Sequence, residues 1–125
     1  MLLPDDRRYT DLHEWARAEV DGTVTVGITD HGQSLMGDLV FVQAPAVGSR
    51  WAAGAACGLL ESVKAAADLH CPVAGEVIAV NAELESAPER LNVDAHGTWI
   101  FRLRPDDPAG IAALLDAAAY ASLAG

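Results

Sequence analysis

Positive charge is scarce in this chain. Among 125 residues, eight basic side chains stand against eighteen acidic ones, giving a formal net charge of −10 and a pI near 4.5. Neutralising a nucleic-acid backbone needs clustered Lys and Arg, so nucleic acid is excluded as a partner. An acidic surface suits partners with basic faces, and solubility alone would also account for it. Long apolar runs are missing too. No stretch approaches membrane-spanning length, and Met1–Arg8 lacks the apolar core of a signal peptide.

Cysteine is limited to Cys57 and Cys71. Both fall in stretches that read as neighbouring strands, so a disulfide is geometrically conceivable. Nothing else points to export, and free thiols in a reducing cytoplasm are expected. There is no Gly-x-Ser-x-Gly elbow and no phosphate loop ending in Gly-Lys-Ser or Gly-Lys-Thr. The four histidines, His13, His31, His70 and His96, are not closely spaced, and His70 and Cys71 would point to opposite faces of a strand. Neither a metal site nor an autonomous active site is expected.

Lysine is the scarcest of the basic residues. Lys64 is the only one, and seven arginines supply the other positive charges. An Ala-rich, Arg-preferring composition would by itself leave few lysines. An amine can be deprotonated and acylated, however, whereas a guanidinium effectively cannot, so a solitary lysine also suits a chemical role.

The surroundings of Lys64 read as a hairpin. Cys57–Val63 has the character of a strand, and Asp68–Cys71 leads as a second strand into the turn signal Pro72-Val73-Ala74-Gly75. Lys64 falls at the tip between them.

Residues 1–8 read as a short leader prone to fraying and residues 9–125 as one domain, which at this length buries roughly two-thirds of its unfolded surface. His13–Val20, the turn Asp21-Gly22 and the run Thr23–Val26 predict a hairpin. Thr29 or Asp30 can cap a two-turn helix that stops at Gly37. Leu39–Val42 predicts a strand, 82–92 irregular chain with helical turns, and Thr98–Arg104 a further strand with Ile100 and Leu103 inward. Ala109–Ala124 predicts one or two helices with Leu114, Leu115, Ala118 and Leu123 near helical spacing. The segments Gly37-Asp38-Leu39-Val40-Phe41-Val42 and Gly75-Glu76-Val77-Ile78-Ala79-Val80 share one pattern, on either side of Lys64. This echo suggests two related sheets closed over one core.

Glu61-Ser62-Val63-Lys64-Ala65, with Asp68 and the following Pro72–Val77, resembles the lipoylation site of the glycine cleavage system H-protein family, within the lipoyl/biotinyl domain superfamily. The resemblance extends through His13-Glu14-Trp15, Val26–Asp30, Gly37–Val42 and Asp116–Tyr120. It implies a mostly β fold, a lipoyl-type sandwich of two antiparallel sheets (a barrel-sandwich hybrid), with a short helix after the first hairpin and C-terminal helices.

The resemblance also implies a non-catalytic carrier with lipoate covalently attached to Lys64 and with Glu61, Ser62, Val63, Ala65 and Asp68 as the site flank. A free lysine is neutral in roughly one molecule in 2,500 at neutral pH, so the attaching lipoate ligase or lipoyl/octanoyl transferase must remove the proton. In the implied cycle the arm takes an aminomethyl group from glycine decarboxylase (P protein) to aminomethyltransferase (T protein), and dihydrolipoamide dehydrogenase (L protein) reoxidises the dithiol. Glu14 and Asp68 stand where a cleft for the loaded arm would offer acceptors. A cytoplasmic monomer is expected.

The sequence departs from the family's usual pattern at three places: Leu12 replaces a polar residue, Ala95-His96-Gly97-Thr98-Trp99 replaces a usual Pro-Tyr and Gly-rich run, and Cys71 replaces a small residue. A Cys71 thiol exposed near Lys64 could form a mixed disulfide with the arm. Two alternatives stay open: an H-like carrier that relays lipoate or serves sulfur oxidation, and an unmodified interaction module of the same fold. Biotin fits less well, because Met-Lys-Met is absent.

Overall fold

The structure, a computed structural model, describes residues 3–124. Among the described residues, nine strands form two antiparallel sheets: β1 (Arg8–Tyr9), β2 (Glu14–Ala18), β3 (Val24–Ile28), β4 (Leu39–Gln43), β5 (Arg50–Trp51), β6 (Ala56–Ser62), β7 (Ala66–His70), β8 (Gly75–Val80) and β9 (Phe101–Pro105). One sheet has the order β1-β2-β3-β9-β8-β5 and the other β4-β6-β7. The helices are α1 (Asp30–Met36), α2 (Glu83–Ser86), α3 (Arg90–Val93) and α4 (Ala117–Ala124). Among the described residues, no helix is long and apolar enough to cross a membrane.

The two sheets enclose one apolar core, with Val26, Leu39, Leu60, Leu69, Val77, Phe101 and Leu103 among its residues. β2 alternates as a half-buried strand should: Ala16 faces this core while Trp15 turns to the opposite side, where it joins Tyr9 and Tyr120 in a second cluster. The echoed segments place β4 in one sheet and β8 in the other. Each carries a register shift at the same position of the pattern, between Leu39 and Phe41 in β4 and between Val77 and Ala79 in β8. A shared bulge is a structural counterpart to the sequence echo, since bulges re-aim a strand at a defined point.

Several boundaries differ from the sequence expectation. Arg8 pairs with Ala16, and the Arg7 guanidinium donates to the His96 carbonyl at 2.7 Å, so the C-terminal end of the segment read as a leader is part of the fold. β7 begins at Ala66, before the expected Asp68. In β9 the inward residues are Phe101 and Leu103, while Ile100, also fully buried, precedes the strand.

The C-terminus departs most. A 3-10 turn over Gly110–Ala113 precedes an extended bridge in which Leu115 exchanges backbone hydrogen bonds with Tyr9, and only then does α4 begin. Its buried residue is Tyr120 rather than Ala118 or Leu123. Alanines offer little area to bury, whereas the Tyr120 ring stacks on Tyr9 with centroids 4.9 Å apart. Its hydroxyl bonds Thr29 Oγ1 at 2.8 Å and His13 Nδ1 at 2.6 Å, tying α4 to the start of α1.

Candidate functional site

The tip joining β6 to β7 is Ser62-Val63-Lys64-Ala65, with Glu61 paired to Ala66 behind it. A two-residue hairpin normally uses a turn with positive φ, yet neither Val63 nor Lys64 adopts one. The Ser62 side chain secures the turn instead: its Oγ accepts from the amides of Lys64 at 3.3 Å and Ala65 at 3.0 Å. The Ser62 amide donates to the Ala65 carbonyl at 2.8 Å. Val63, Lys64 and Ala65 are exposed, so the amine stands outside the fold on a short, well-bonded base.

The tip rests against the turn that follows α1. Thr29 caps α1 through a bond from the Gly32 amide to its Oγ1, and Gly37 ends the helix with its amide donating to the Gln33 carbonyl. The next residue, Asp38, accepts from the Val63 amide at 3.3 Å. Gly37 has φ 80°, and a Cβ there would lie 3.0 Å from Lys64 Cε and 3.7 Å from Nζ. The lysine stem therefore lies across a position where the backbone conformation and the contact both favour glycine.

Beside this turn is a cleft of about 200 Å³ between α1, the lysine hairpin and the Leu12–Glu14 segment. Leu35, Met36, Leu60 and Ala67 make it apolar, and Glu14 and Asp68 are its acids. Leu12, about half exposed, forms part of its rim. Asp68 is exposed, but Glu14 is almost inaccessible. The Glu14 carboxylate accepts from Thr10 Oγ1 at 2.7 Å and from the His70 amide at 3.1 Å, with His70 Nδ1 also 3.1 Å away. A larger cavity of about 370 Å³ lies on the other side of Glu14, bounded by Tyr9, His70, Cys71 and Leu114. The sequence reading singled out Glu14 but not Thr10 or His70 as its partners.

Burial raises the Glu14 carboxyl above the ordinary glutamate range, against the opposing pull of the hydrogen bonds from Thr10 and His70. A raised value means the folded chain holds this proton more tightly than the unfolded chain does. The stability it contributes is full below the ordinary value, about pH 4.3, and is lost as the pH climbs through the folded value. Glu14→Gln, which cannot ionise, should therefore gain stability relative to the parent as the pH rises above about 4.3. Urea midpoints of the two proteins across that range check this, and a difference that stays flat or reverses contradicts it.

The cysteines do not contribute to the site. Cys71 is fully buried, and its thiol donates to the Val73 carbonyl at 3.1 Å, which rules out the mixed disulfide that an exposed Cys71 would have allowed. Cys57 is also buried and free, and the neighbouring Cys71 thiol together with burial pushes its own thiol up, which disfavours the reactive thiolate. The unusual loop at 95–99 is well anchored: the Ala95 carbonyl accepts from Trp15 Nε1 at 3.1 Å, and His96 Nε2 accepts from the Asp30 amide at 3.2 Å.

With this geometry in place, residues 7–124 match the sequence pattern of the family described as Glycine cleavage H-protein. The chain belongs to the glycine cleavage H-protein family. A glycine cleavage system H protein of Thiobacillus denitrificans is 58% identical over 120 residues, covering 96% of this chain and 93% of the relative. One from Nitrosospira multiformis is 54% identical over 123 residues, covering 98% and 95%. The crystal structure of a glycine cleavage system H protein from Mycobacterium marinum superposes with a TM-score of 0.87 at 39% identity, covering 96% of this chain and 97% of that one. The mostly β sandwich expected from the resemblance is thus the fold of an H protein.

Proposed function

We propose that this chain is a lipoyl carrier of glycine cleavage, in which the Lys64 amine holds the lipoyl group in amide linkage. The observation that carries the reading is the position of the chain's only lysine at the exposed hairpin tip of an H-protein fold. In this role the protein is a shared substrate rather than an enzyme. It receives the aminomethyl group at glycine decarboxylase, delivers it to aminomethyltransferase and is reoxidised by dihydrolipoamide dehydrogenase. The lipoyl group, when attached, supplies a disulfide that opens reversibly to a dithiol.

The residues of this chain fit that role in three ways. Ser62 fixes the turn, so the arm has a defined origin, and a defined origin with a flexible extension lets one group reach several active sites. Ala65, Ala66 and Ala67 leave room beside the lysine for an attaching enzyme. The adjoining cleft is apolar with two carboxylates, and a protonated amine brought into it would find Asp68 the more available acceptor, since Thr10 and His70 already occupy Glu14. Residues 7–124 form the carrier domain.

The test is to lipoylate the chain, incubate it with glycine decarboxylase and glycine labelled in its methylene carbon, and measure label on the chain. One equivalent per lipoylated molecule supports the reading. A lipoylated chain that takes up no glycine carbon, yet serves another lipoate-dependent system, would move it to the relay role.

A further inference from the structure

Lys64 rests on a turn whose shape is set by a distant side chain. We propose that Asn92 is a positioning residue for the acylation of Lys64, acting by locking the Gly37–Leu39 turn beneath the lysine; this rests on the carrier reading above.

Asn92, in α3, directs all of its side-chain hydrogen bonds into this region. Its Oδ1 accepts from the Leu39 amide at 2.9 Å, and its Nδ2 donates to the Gly37 carbonyl and to Gln33 Oε1, each at 2.9 Å. The two backbone bonds bracket Asp38, so one amide group clamps both ends of the turn. That turn touches the hairpin tip twice, through the bond from the Val63 amide to the Asp38 carbonyl and through the Lys64 methylenes lying across Gly37. The line of contact therefore runs from α3 through the turn to the base and stem of the lysine. Only an amide supplies both an acceptor and two donors at this point; a carboxylate keeps the acceptor alone, and an alanine keeps neither.

The chemistry explains why orientation matters. The deprotonated Lys64 Nζ attacks the carbonyl carbon of a lipoyl adenylate, the C–N amide bond forms, the C–O bond to AMP breaks, and a base of the attaching ligase takes the amine proton. The ligase grips the domain as a body, so the angle of the tip to the rest of the fold decides whether Nζ arrives in line with the carbonyl. Displacement of reacting atoms by about 1 Å can cost roughly a hundredfold in rate. The same lysine should react with a small soluble ester at a rate that needs no such alignment.

The experiment compares the parent chain, Asn92→Ala and Asn92→Asp in two reactions: steady-state lipoylation by a lipoate ligase with ATP, and acetylation of Lys64 by an N-hydroxysuccinimide ester, followed by peptide mass. The peptide mass separates acetylation at Lys64, the only lysine, from acetylation at the N-terminal amine. Thermal unfolding confirms which variants are folded at the assay temperature, and Asn92→Asp, which retains the bond from Leu39, serves if the alanine variant is not. The expected result is a kcat for lipoylation lowered roughly tenfold or more, with a smaller change in KM and an unchanged acetylation rate. An unchanged kcat overturns the inference. So does a loss confined to KM, or one matched by the unfolded fraction. If the ligase leaves Lys64 of the parent chain bare, the carrier reading itself fails, a different outcome from a parent that is modified and variants that match it.

Discussion

Lys64→Arg is expected to abolish enzymatic lipoylation and glycine-dependent loading together, while leaving the fold intact. Arginine keeps the charge and most of the stem, but its guanidinium stays protonated and does not attack an activated acyl group. The side chain is exposed at a turn whose bonds are made by Ser62 and by backbone, so removing the amine costs the fold little. A change within about 0.5 kcal/mol is typical of such a surface site. The measurement pairs intact mass after treatment with a ligase against a urea titration of the same sample. Loading that survives in the variant would show that another nucleophile bears the group.

Trp15→Ala has the opposite profile, with a large effect on stability and no direct effect on the amine. Trp15 is fully buried in the cluster with Tyr9 and Tyr120, on the side of the six-stranded sheet away from the main core. Its ring lies over Gly27, its pairing partner in β3, where a Cβ would come to within 2.5 Å of ring atoms. Its Nε1–H donates to the Ala95 carbonyl, and the Arg7 guanidinium sits 4.5 Å above the ring. Truncation leaves a cavity and an unpaired carbonyl, and aromatic-to-alanine changes in cores cost about 3–5 kcal/mol. That is a large part of the roughly 5–15 kcal/mol that holds a typical domain together. Chemical unfolding should show the loss, with Trp15→Phe in between. A cost below about 1 kcal/mol would mean that this second cluster contributes little.

The lysine hairpin, the first hairpin, α1 with its Thr29 cap and Gly37 stop, and the strand at Leu39 were all legible in the sequence, because each rests on local signals. Alternating apolar residues, Asp21-Gly22, a capping hydroxyl and a terminating glycine act over a few residues and leave their mark there. The repeated glycine-acid-aliphatic pattern pointed in the same way to related strands in two sheets, but not to the bulge that β4 and β8 share.

What the sequence did not disclose is made between distant residues. The Tyr120 hydroxyl meets Thr29 across 91 positions, Glu14 meets His70 across 56, and Asn92 meets Leu39 across 53. Such pairs depend on which strands become neighbours, and no local periodicity encodes that. The C-terminal segment misled for a related reason: its leucines have helical spacing, but Leu115 is drawn into an extended bridge by Tyr9, and the residue with the most area to bury is Tyr120. The acids near the lysine were visible as acids. That Glu14 is buried and already partnered, while Asp68 stays open, depends on the packing.

The most direct test of the account is a peptide map of the protein taken from its native host grown with ample lipoate, with Lys64→Arg as the control. A lipoyl amide on the peptide containing Lys64, and none in the control, is the expected result. A bare Lys64 in that protein would contradict it and leave the fold as an interaction module without a cofactor.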